Sequence, residues 1–124
     1  MSRIELRARL HVRPGQVEGF KAQVAEIVRL ARDNDTETQR FDWFLSEDGT
    51  DCEVHETYES EAGFFGHAQH IMAARAKLFA EFADSHQVAA FGEVPPRLLE
   101  MANVHAGGLE HYSFFQGLEP QPTI

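Results

Sequence analysis

Apolar and polar residues alternate strictly near the start of the chain. From Ile4 to Val12 every second residue is apolar, and a period of two predicts a β-strand with one buried face. Pro14-Gly15 then predicts a turn. Between Gln16 and Asp35 the apolar residues recur at spacings of three and four, which is typical of an amphipathic helix that Asn34 and Asp35 end.

The next segment returns to period two. Strands predicted at 36–45 and 51–59 are joined by the turn residues Asp48-Gly49, which indicates a β-hairpin. Ser60 is a suitable N-cap for a second helix, whose apolar residues include Phe64 and whose continuity as far as Phe82 stays open. We predict a break at 84–86 and a short strand at 87–94.

This β-α-β-β-α-β order predicts an α+β, ferredoxin-like fold, in which both helices cover one face of an antiparallel sheet. Pro96 favours a short helix over 97–103, and the residues 110–116 predict a last strand. The length of 124 residues fits one domain. We interpret residues 1–118 as that domain, with a core at 4–94 and a C-terminal extension at 95–118, followed by a flexible tail at 119–124.

Charge and composition narrow the classes of partner. The net charge of −9 and the scattering of the eleven basic residues disfavour nucleic acid. No apolar run approaches the roughly 18 residues that span a bilayer, so we expect no membrane partner and a cytoplasmic location. Cys52 is the only cysteine, which excludes an internal disulfide and a cysteine-based zinc site.

Three residues around the second helix are candidates for chemistry. Glu56 and Tyr58 lie two apart on one strand, so their side chains share a face. His67 follows on the helix, and histidine suits the role of a general base because the unperturbed pKa of an imidazole lies near neutrality. A buried Glu56 requires a partner, and His67 is the natural one. The trio is either catalytic or an internal polar link between helix and strand.

Two interpretations stay open for each of the remaining candidate residues. Trp43, the only tryptophan, stacks on a flat aromatic ligand or belongs to the core or a dimer interface. Arg9 and His11 lie on the other face of the first strand, where they orient an anionic group or form cross-strand salt links. His67 and His70 are three apart, but no third ligand accompanies them, and we therefore predict no metal site.

Three motifs resemble the antibiotic biosynthesis monooxygenase family of dimeric α/β-barrel proteins. The first strand ends in Val12-Arg13-Pro14-Gly15, and Phe20 follows in the helix, as in that family's opening motif. The run Glu56-Thr57-Tyr58-Glu59-Ser60 matches its Glu-x-aromatic-x-Ser/Asp pattern, and His67 follows at the expected distance. The order of elements agrees over residues 4–94.

The resemblance implies a homodimer whose two sheets form a barrel, with a ligand cavity between sheet and helices. Characterised enzymes of this family are oxidoreductases that need no cofactor and oxygenate quinols or polycyclic aromatic molecules. On the hypothesis that this chain is such an enzyme, His67 is the proton acceptor and Glu56 its orienting partner, while Tyr58, Trp43 and Phe64 bind the small aromatic substrate with Arg9 and His11. The alternative is a non-catalytic dimer whose cavity holds a small ligand or is filled by some of the ten phenylalanines.

The haem-degrading relatives provide a contrast. They resemble this layout but have an Asn in the first strand, a Trp in the third and a helix His about ten residues after that Trp. Here the first strand lacks Asn, Tyr58 replaces the Trp, and Ala68 occupies the position of the His, with His67 one residue short. Haem degradation is therefore disfavoured.

Overall fold

A computed structural model describes residues 3–105 and 109–120, with the side chains of 102–105 left undescribed. The predicted β-α-β-β-α-β order is confirmed, and the short helix and last strand predicted after it are present as a third helix and a fifth strand. The elements in chain order are β1 (Ile4–Val12), α1 (Val17–Asn34), β2 (Thr38–Leu45), β3 (Asp51–Tyr58), α2 (Glu61–Glu81), β4 (Ala83–Phe91), α3 (Pro96–His105) and β5 (Leu109–Tyr112).

The sheet has the strand order β2-β3-β1-β4-β5 and is open in the described part of the chain. The first four strands pair antiparallel, as the sequence predicted. β5 pairs parallel with β4, so the whole sheet is mixed. A parallel neighbour needs a crossover connection, and α3 supplies it between the two strands.

The core lies between one face of the sheet and the helices α1 and α2. The alternate residues of β1 that begin at Ile4 are all buried there. Ile27 of α1 and Leu78 of α2 have no exposed surface. α2 runs unbroken to Glu81, which answers the question of continuity that the sequence left open. Cys52 of β3 is buried in this layer as a free thiol.

The start of β4 corrects one prediction. The break expected at 84–86 is wrong, because β4 begins at Ala83, directly after α2. Ser85 has a φ of 58° and is the extra residue where the register shifts, since Leu10 pairs with His86 but His11 pairs with Asp84. Such a β-bulge accommodates an irregular residue without ending the strand.

The C-terminal extension covers one end of the core. Leu98 of α3 is buried in a cluster with Ile4, Tyr58 and Phe64. The guanidinium carbon of Arg97 lies 4.2 Å from the centre of the Phe65 ring. The last strand is shorter than the predicted 110–116, and no helix or strand is assigned from 113 to 120.

Candidate functional site

A buried histidine of α2 is fixed by the end of α1. His67 is 3% exposed, and its Nδ1 atom lies 2.6 Å from Oδ2 of Asp35. Asp35 is the C-cap residue of α1, where an extended backbone turns the chain toward β2. Helix termination therefore places a carboxylate against the facing helix. The sequence marked Asp35 only as a helix stop.

Asp35 accepts hydrogen bonds from three side chains. Besides His67, the Nδ1 atom of His70 lies 2.7 Å from Oδ1, and the Thr38 hydroxyl donates to Oδ2 at 2.7 Å. Burial alone raises the pKa of Asp35, but the hydrogen bonds from His70, His67 and Thr38 outweigh it and lower the pKa below its ordinary value. An ionised carboxylate can only accept, so Nδ1 of His67 carries the proton.

In the neutral imidazole of His67 the other ring nitrogen, Nε2, is therefore a bare acceptor. Nε2 is buried and has no hydrogen-bond partner among the described residues. The rings of Phe41 and Tyr58 stand 4.4 and 5.0 Å from the imidazole, measured between ring centres. Buried polar atoms are rarely left unpaired without a reason, and an unpaired basic nitrogen can take a proton from a bound hydroxyl group.

Glu56 and Tyr58 form a second polar pair beside this histidine. The Tyr58 hydroxyl donates to Oε1 of Glu56 at 2.5 Å. Burial raises the pKa of Glu56, and the Tyr58 hydrogen bond and the charge of His67 only partly oppose that effect. Burial and the nearby Glu56 raise the pKa of Tyr58 well above its ordinary value. The hydrogen bond predicted between Glu56 and His67 is not observed. Glu56 is instead bonded to Tyr58, and His67 is bonded to Asp35.

The remaining candidates divide between the two faces of the sheet. Phe64 is buried against Tyr58, with 5.4 Å between the ring centres. Trp43 packs edge-to-face on Phe41 at 5.6 Å, one ring removed from His67. Arg9 and His11 lie on the uncovered face, away from His67, where Arg9 forms an ion pair with Glu53 and His11 is hydrogen-bonded to Asp84. The fold of a single chain thus brings together five of the seven candidate site residues, and Arg9 and His11 are the two that lie apart.

Sequence reasoning missed a cationic group in the same layer. Arg75 Nη2 donates to Nδ1 of His86 at 3.3 Å, and its guanidinium lies 4.9 Å from the centre of the Phe79 ring. Burial lowers the pKa of Arg75, an effect that the charge of Glu56 opposes. Burial and the charge of Arg75 lower the pKa of His86 to about 4, which leaves it neutral near pH 7. Helical spacing was the available signal, since Arg75 follows His67 by about two turns.

An open cleft of about 720 Å³ lies at the end of the sheet where β1 begins. Its lining includes Ile4, Ser60, Glu37 and Val94. Ile4 pairs with Tyr58 across the strands, and the Ser60 hydroxyl donates to Glu37 at 2.6 Å. The cleft thus borders the layer that contains Tyr58, and His67 is not among its lining residues.

The described residues contain no group of three or more His, Cys, Asp or Glu side chains arranged to hold a metal ion. Within the same part of the chain, no helix is long and apolar enough to cross a membrane.

Solved structures share this fold. MupZ from Pseudomonas fluorescens has a TM-score of 0.76 at 15% identity, over 100% of this chain and 99% of that chain. Rv0793 from Mycobacterium tuberculosis has a TM-score of 0.63 at 21% identity, over 76% and 97%. A Caulobacter crescentus protein named as a candidate antibiotic biosynthesis monooxygenase has a TM-score of 0.67 at 18% identity, over 76% and 92%. At these identities the likeness concerns the fold, and among these three only the match to MupZ covers the whole of this chain.

The family follows from the sequence itself. The model of the antibiotic biosynthesis monooxygenase family matches residues 3–87, well over half of the chain. No curated protein sequence matches this chain. The chain belongs to the antibiotic biosynthesis monooxygenase family, and the resemblance drawn from its motifs is confirmed.

Proposed function

We propose that this chain is a monooxygenase that oxidises a quinol-like or polycyclic aromatic molecule without a cofactor. The observation that carries the proposal is the bare Nε2 atom of His67, buried among aromatic rings and oriented by Asp35. Membership of the family supports the reaction class. The aromatic neighbours Tyr58 and Phe64 suit a flat apolar substrate.

In this mechanism His67 takes the proton that ionises the substrate. Asp35 holds the imidazole in the tautomer with a free Nε2 and stabilises the imidazolium that forms, as the carboxylate of a catalytic triad does. Glu56 lies within electrostatic reach and adds attraction for the charged ring when it is ionised. The role that the sequence gave to Glu56 is thus proposed for Asp35.

The electron-rich anion then reacts with O₂. For a substrate with a CH₂ group between aromatic rings, such as an anthrone, the balanced reaction is R₂CH₂ + O₂ → R₂C=O + H₂O. The substrate supplies all four electrons, one oxygen atom enters the product, and the other leaves as water. His67 holds the first proton and returns it to the departing oxygen.

A second candidate function is supported by the packing. Phe41 and Tyr58 pack against the His67 imidazole, Phe64 packs against Tyr58, and His67 does not line the cleft. Such packing also fits a non-catalytic relative, in which Asp35 and His67 hold α1 and α2 together. The two proposals differ in turnover, so activity decides between them.

We also propose that two copies of the chain pair through the uncovered faces of their sheets. That face exposes Phe44, Phe91 and Tyr112, between 36% and 50% of each. Arg9 and His11 lie on it too, so in a dimer they face the partner rather than the site of their own chain. Exposed apolar residues on a sheet face favour a covering partner.

Oxygen uptake with a panel of hydroquinones and anthrones tests the enzyme proposal. His67→Gln and Asp35→Asn are expected to lower the rate by about 10²–10⁴, the usual contribution of a general base. His70→Gln is the matched control, because it removes the exposed imidazole from the same carboxylate but leaves Nε2 of His67 in place. Glu56→Gln shows whether the second carboxyl contributes. If the wild type turns over none of the panel, the non-catalytic alternative stands.

A further inference from the structure

The uncovered face of the sheet carries one arginine without an ion pair. Arg7 of β1 forms no ion pair with any described residue, and its Nε atom is buried without a hydrogen-bond partner. The other two arginines in the strands, Arg9 and Arg40, form ion pairs with Glu53 and Asp42. A buried donor without an acceptor costs free energy, which a partner molecule that supplies the acceptor can recover.

Glu110 of β5 is the matching anion on the same face. Its carboxylate accepts a hydrogen bond from the Tyr112 hydroxyl at 3.0 Å but forms no ion pair within the described part of the chain. Ala89 of β4 pairs with Arg7 on one side and with Glu110 on the other. The backbones of the cation and the anion are therefore two strand spacings apart, about 10 Å, in one row across the sheet.

Two stacked aromatic rings lie beside these charges. The guanidinium carbon of Arg7 lies 5.7 Å from the centre of the Phe91 ring, and the Phe91 and Tyr112 rings stack with 5.4 Å between their centres. Phe91 is 36% exposed and Tyr112 is 50% exposed. Because Arg7 packs on Phe91 and Glu110 is bonded to Tyr112, the four residues form one patch. This Arg7–Glu110 patch has a positive end, an aromatic middle and a negative end.

We infer that the Arg7–Glu110 patch binds the same patch on a second copy of the chain, so that Arg7 of each copy forms an ion pair with Glu110 of the other. A patch with opposite charges at its ends is complementary to itself when a two-fold relation reverses it, and each contact then occurs twice. Arginine and tyrosine are also enriched among the residues that dominate interface energies. The inference rests on the proposed pairing of the uncovered sheet faces, and it names the contact that makes this pairing specific.

The C-terminal extension supplies half of this contact. β5 follows the part of the chain that the family model matches, residues 3–87, whereas Arg7 lies within it. The inferred ion pair therefore joins the shared domain of one copy to the extension of the other, and it gives β5 a role beyond widening the sheet.

Charge reversal tests this contact, with the dissociation constant of the dimer measured by analytical ultracentrifugation. Arg7→Glu and Glu110→Arg each set like charges against one another twice in the dimer, so each is expected to raise the dissociation constant at least about 100-fold. An equimolar mixture of the two variants is expected to restore dimers, because the mixed pair sets two acidic residues of one copy against two basic residues of the other. A rearrangement within one chain cannot produce that rescue.

Two variants serve as matched controls. Lys21→Glu reverses an exposed charge of α1, on the helix side, and is expected to leave the dissociation constant within about twofold of the wild type. Asp51→Arg reverses another carboxylate of the uncovered face, and its mixture with Arg7→Glu is expected to remain monomeric. Thermal unfolding checks that each variant is folded. If Arg7→Glu is not, Arg7→Gln added to the exposed change Glu110→Arg is expected to remove the repulsion and recover part of the affinity.

A wild-type monomer, a dimer that neither charge reversal weakens, or a mixture of the two variants that stays monomeric would overturn the inference. Its failure is distinguishable from failure of the proposed function. If Phe44→Asp weakens the dimer and the charge reversals do not, the pairing of sheet faces stands without this contact. If mixing restores the dimer and no quinol or anthrone is oxidised, the contact stands without the oxygenase.

Discussion

Asp35 determines the state of the histidine ring at the centre of the site. As a carboxylate it accepts from His67, His70 and Thr38 together. An asparagine at this position has one oxygen and also donates, so it cannot accept all three hydrogen bonds. The imidazole of His67 would then be free to adopt the other tautomer, with its proton on Nε2.

We therefore expect Asp35→Asn to change the tautomer of His67 as well as to slow turnover. ¹⁵N NMR of the imidazole measures the tautomer directly, whether or not a substrate is known. Thr38→Val removes one of the three hydrogen bonds and is expected to leave the tautomer unchanged, at a cost of about 1 kcal/mol in stability. An unchanged His67 spectrum in Asp35→Asn would contradict the role given to Asp35.

His86 makes the fold sensitive to mild acid. Its pKa falls from an ordinary value of 6.5 to about 4 because of burial and the charge of Arg75. Between these values the unfolded chain binds a proton that the folded chain does not, so the free energy of unfolding falls as the pH falls. The contribution of His86 is fully present above its unfolded pKa and is lost by about pH 4.

Urea unfolding at about pH 7 and about pH 5 measures this loss. We expect the wild type to lose more stability between the two values than His86→Gln does. His111→Gln, which changes an exposed histidine of β5, serves as the control and should follow the wild type. Equal losses in all three proteins would show that His86 is not responsible.

At this scale the sequence predicted the site in part. His67, Glu56 and Tyr58 belong to one continuous stretch, and their shared face follows from strand and helix periods. Asp35 and Arg75 were missed because the contacts that define them join separate segments: α1 to α2, and α2 to β4. Periodicity gives the face of a residue but not its partner on another element.

At the scale of elements, two glycines of α2 show how closely this helix packs against the rest of the fold. A Cβ atom on Gly63 would lie 2.7 Å from Cβ of Glu37, too near the backbone of that residue to be relieved by a side-chain rotation. A Cβ atom on Gly66 would meet nothing within 4 Å in the described structure. The first turn of α2 is thus fitted to the loop that follows α1, and the second turn is not.

Gly63→Ala is expected to destabilise the fold by about 1–3 kcal/mol, the range typical of overpacking. The shift of α2 that it requires would also disturb the hydrogen bond from Ser60 to Glu37 and the contact of His67 with Asp35. Gly66→Ala is expected to stabilise by up to about 1 kcal/mol, because alanine favours a helix. Chemical denaturation of both variants checks the pair, and a loss of equal size in each would refute the argument.

The elements themselves were largely predictable. β1, α1 and the β2–β3 hairpin have clean periods of two or of three to four, and their bounds agree with the predictions within a few residues. β4 was misplaced because Asp84, Ser85 and His86 are polar residues typical of a turn, and only pairing with β1 reveals the bulge. β5 runs parallel to β4 because α3 crosses over between them. The local sequence pattern of β5 does not reveal this direction.

At the scale of the whole molecule, the uncovered sheet face predicts a dimer. Sedimentation is expected to give twice the 14.0 kDa of one chain. Phe44→Asp introduces a charge at a 49% exposed position of that face and should weaken the dimer. Met72→Asp alters an exposed apolar residue of α2, on the helix side, and should leave the dimer intact. A wild-type monomer would contradict the proposed pairing.

The buried thiol of β3 offers a means of timing how often the molecule opens. Burial raises the pKa of Cys52 to about 11, so near neutral pH the group is a protonated thiol shielded from solvent. Alkylating reagents react with thiolate, and modification therefore waits for β3 to separate from the helices that cover it. Because the chain has one cysteine, the rate of mass gain with iodoacetamide reports a single event. A bound aromatic ligand would slow that reaction without touching the sulfur, which makes the native protein its own indicator of occupancy.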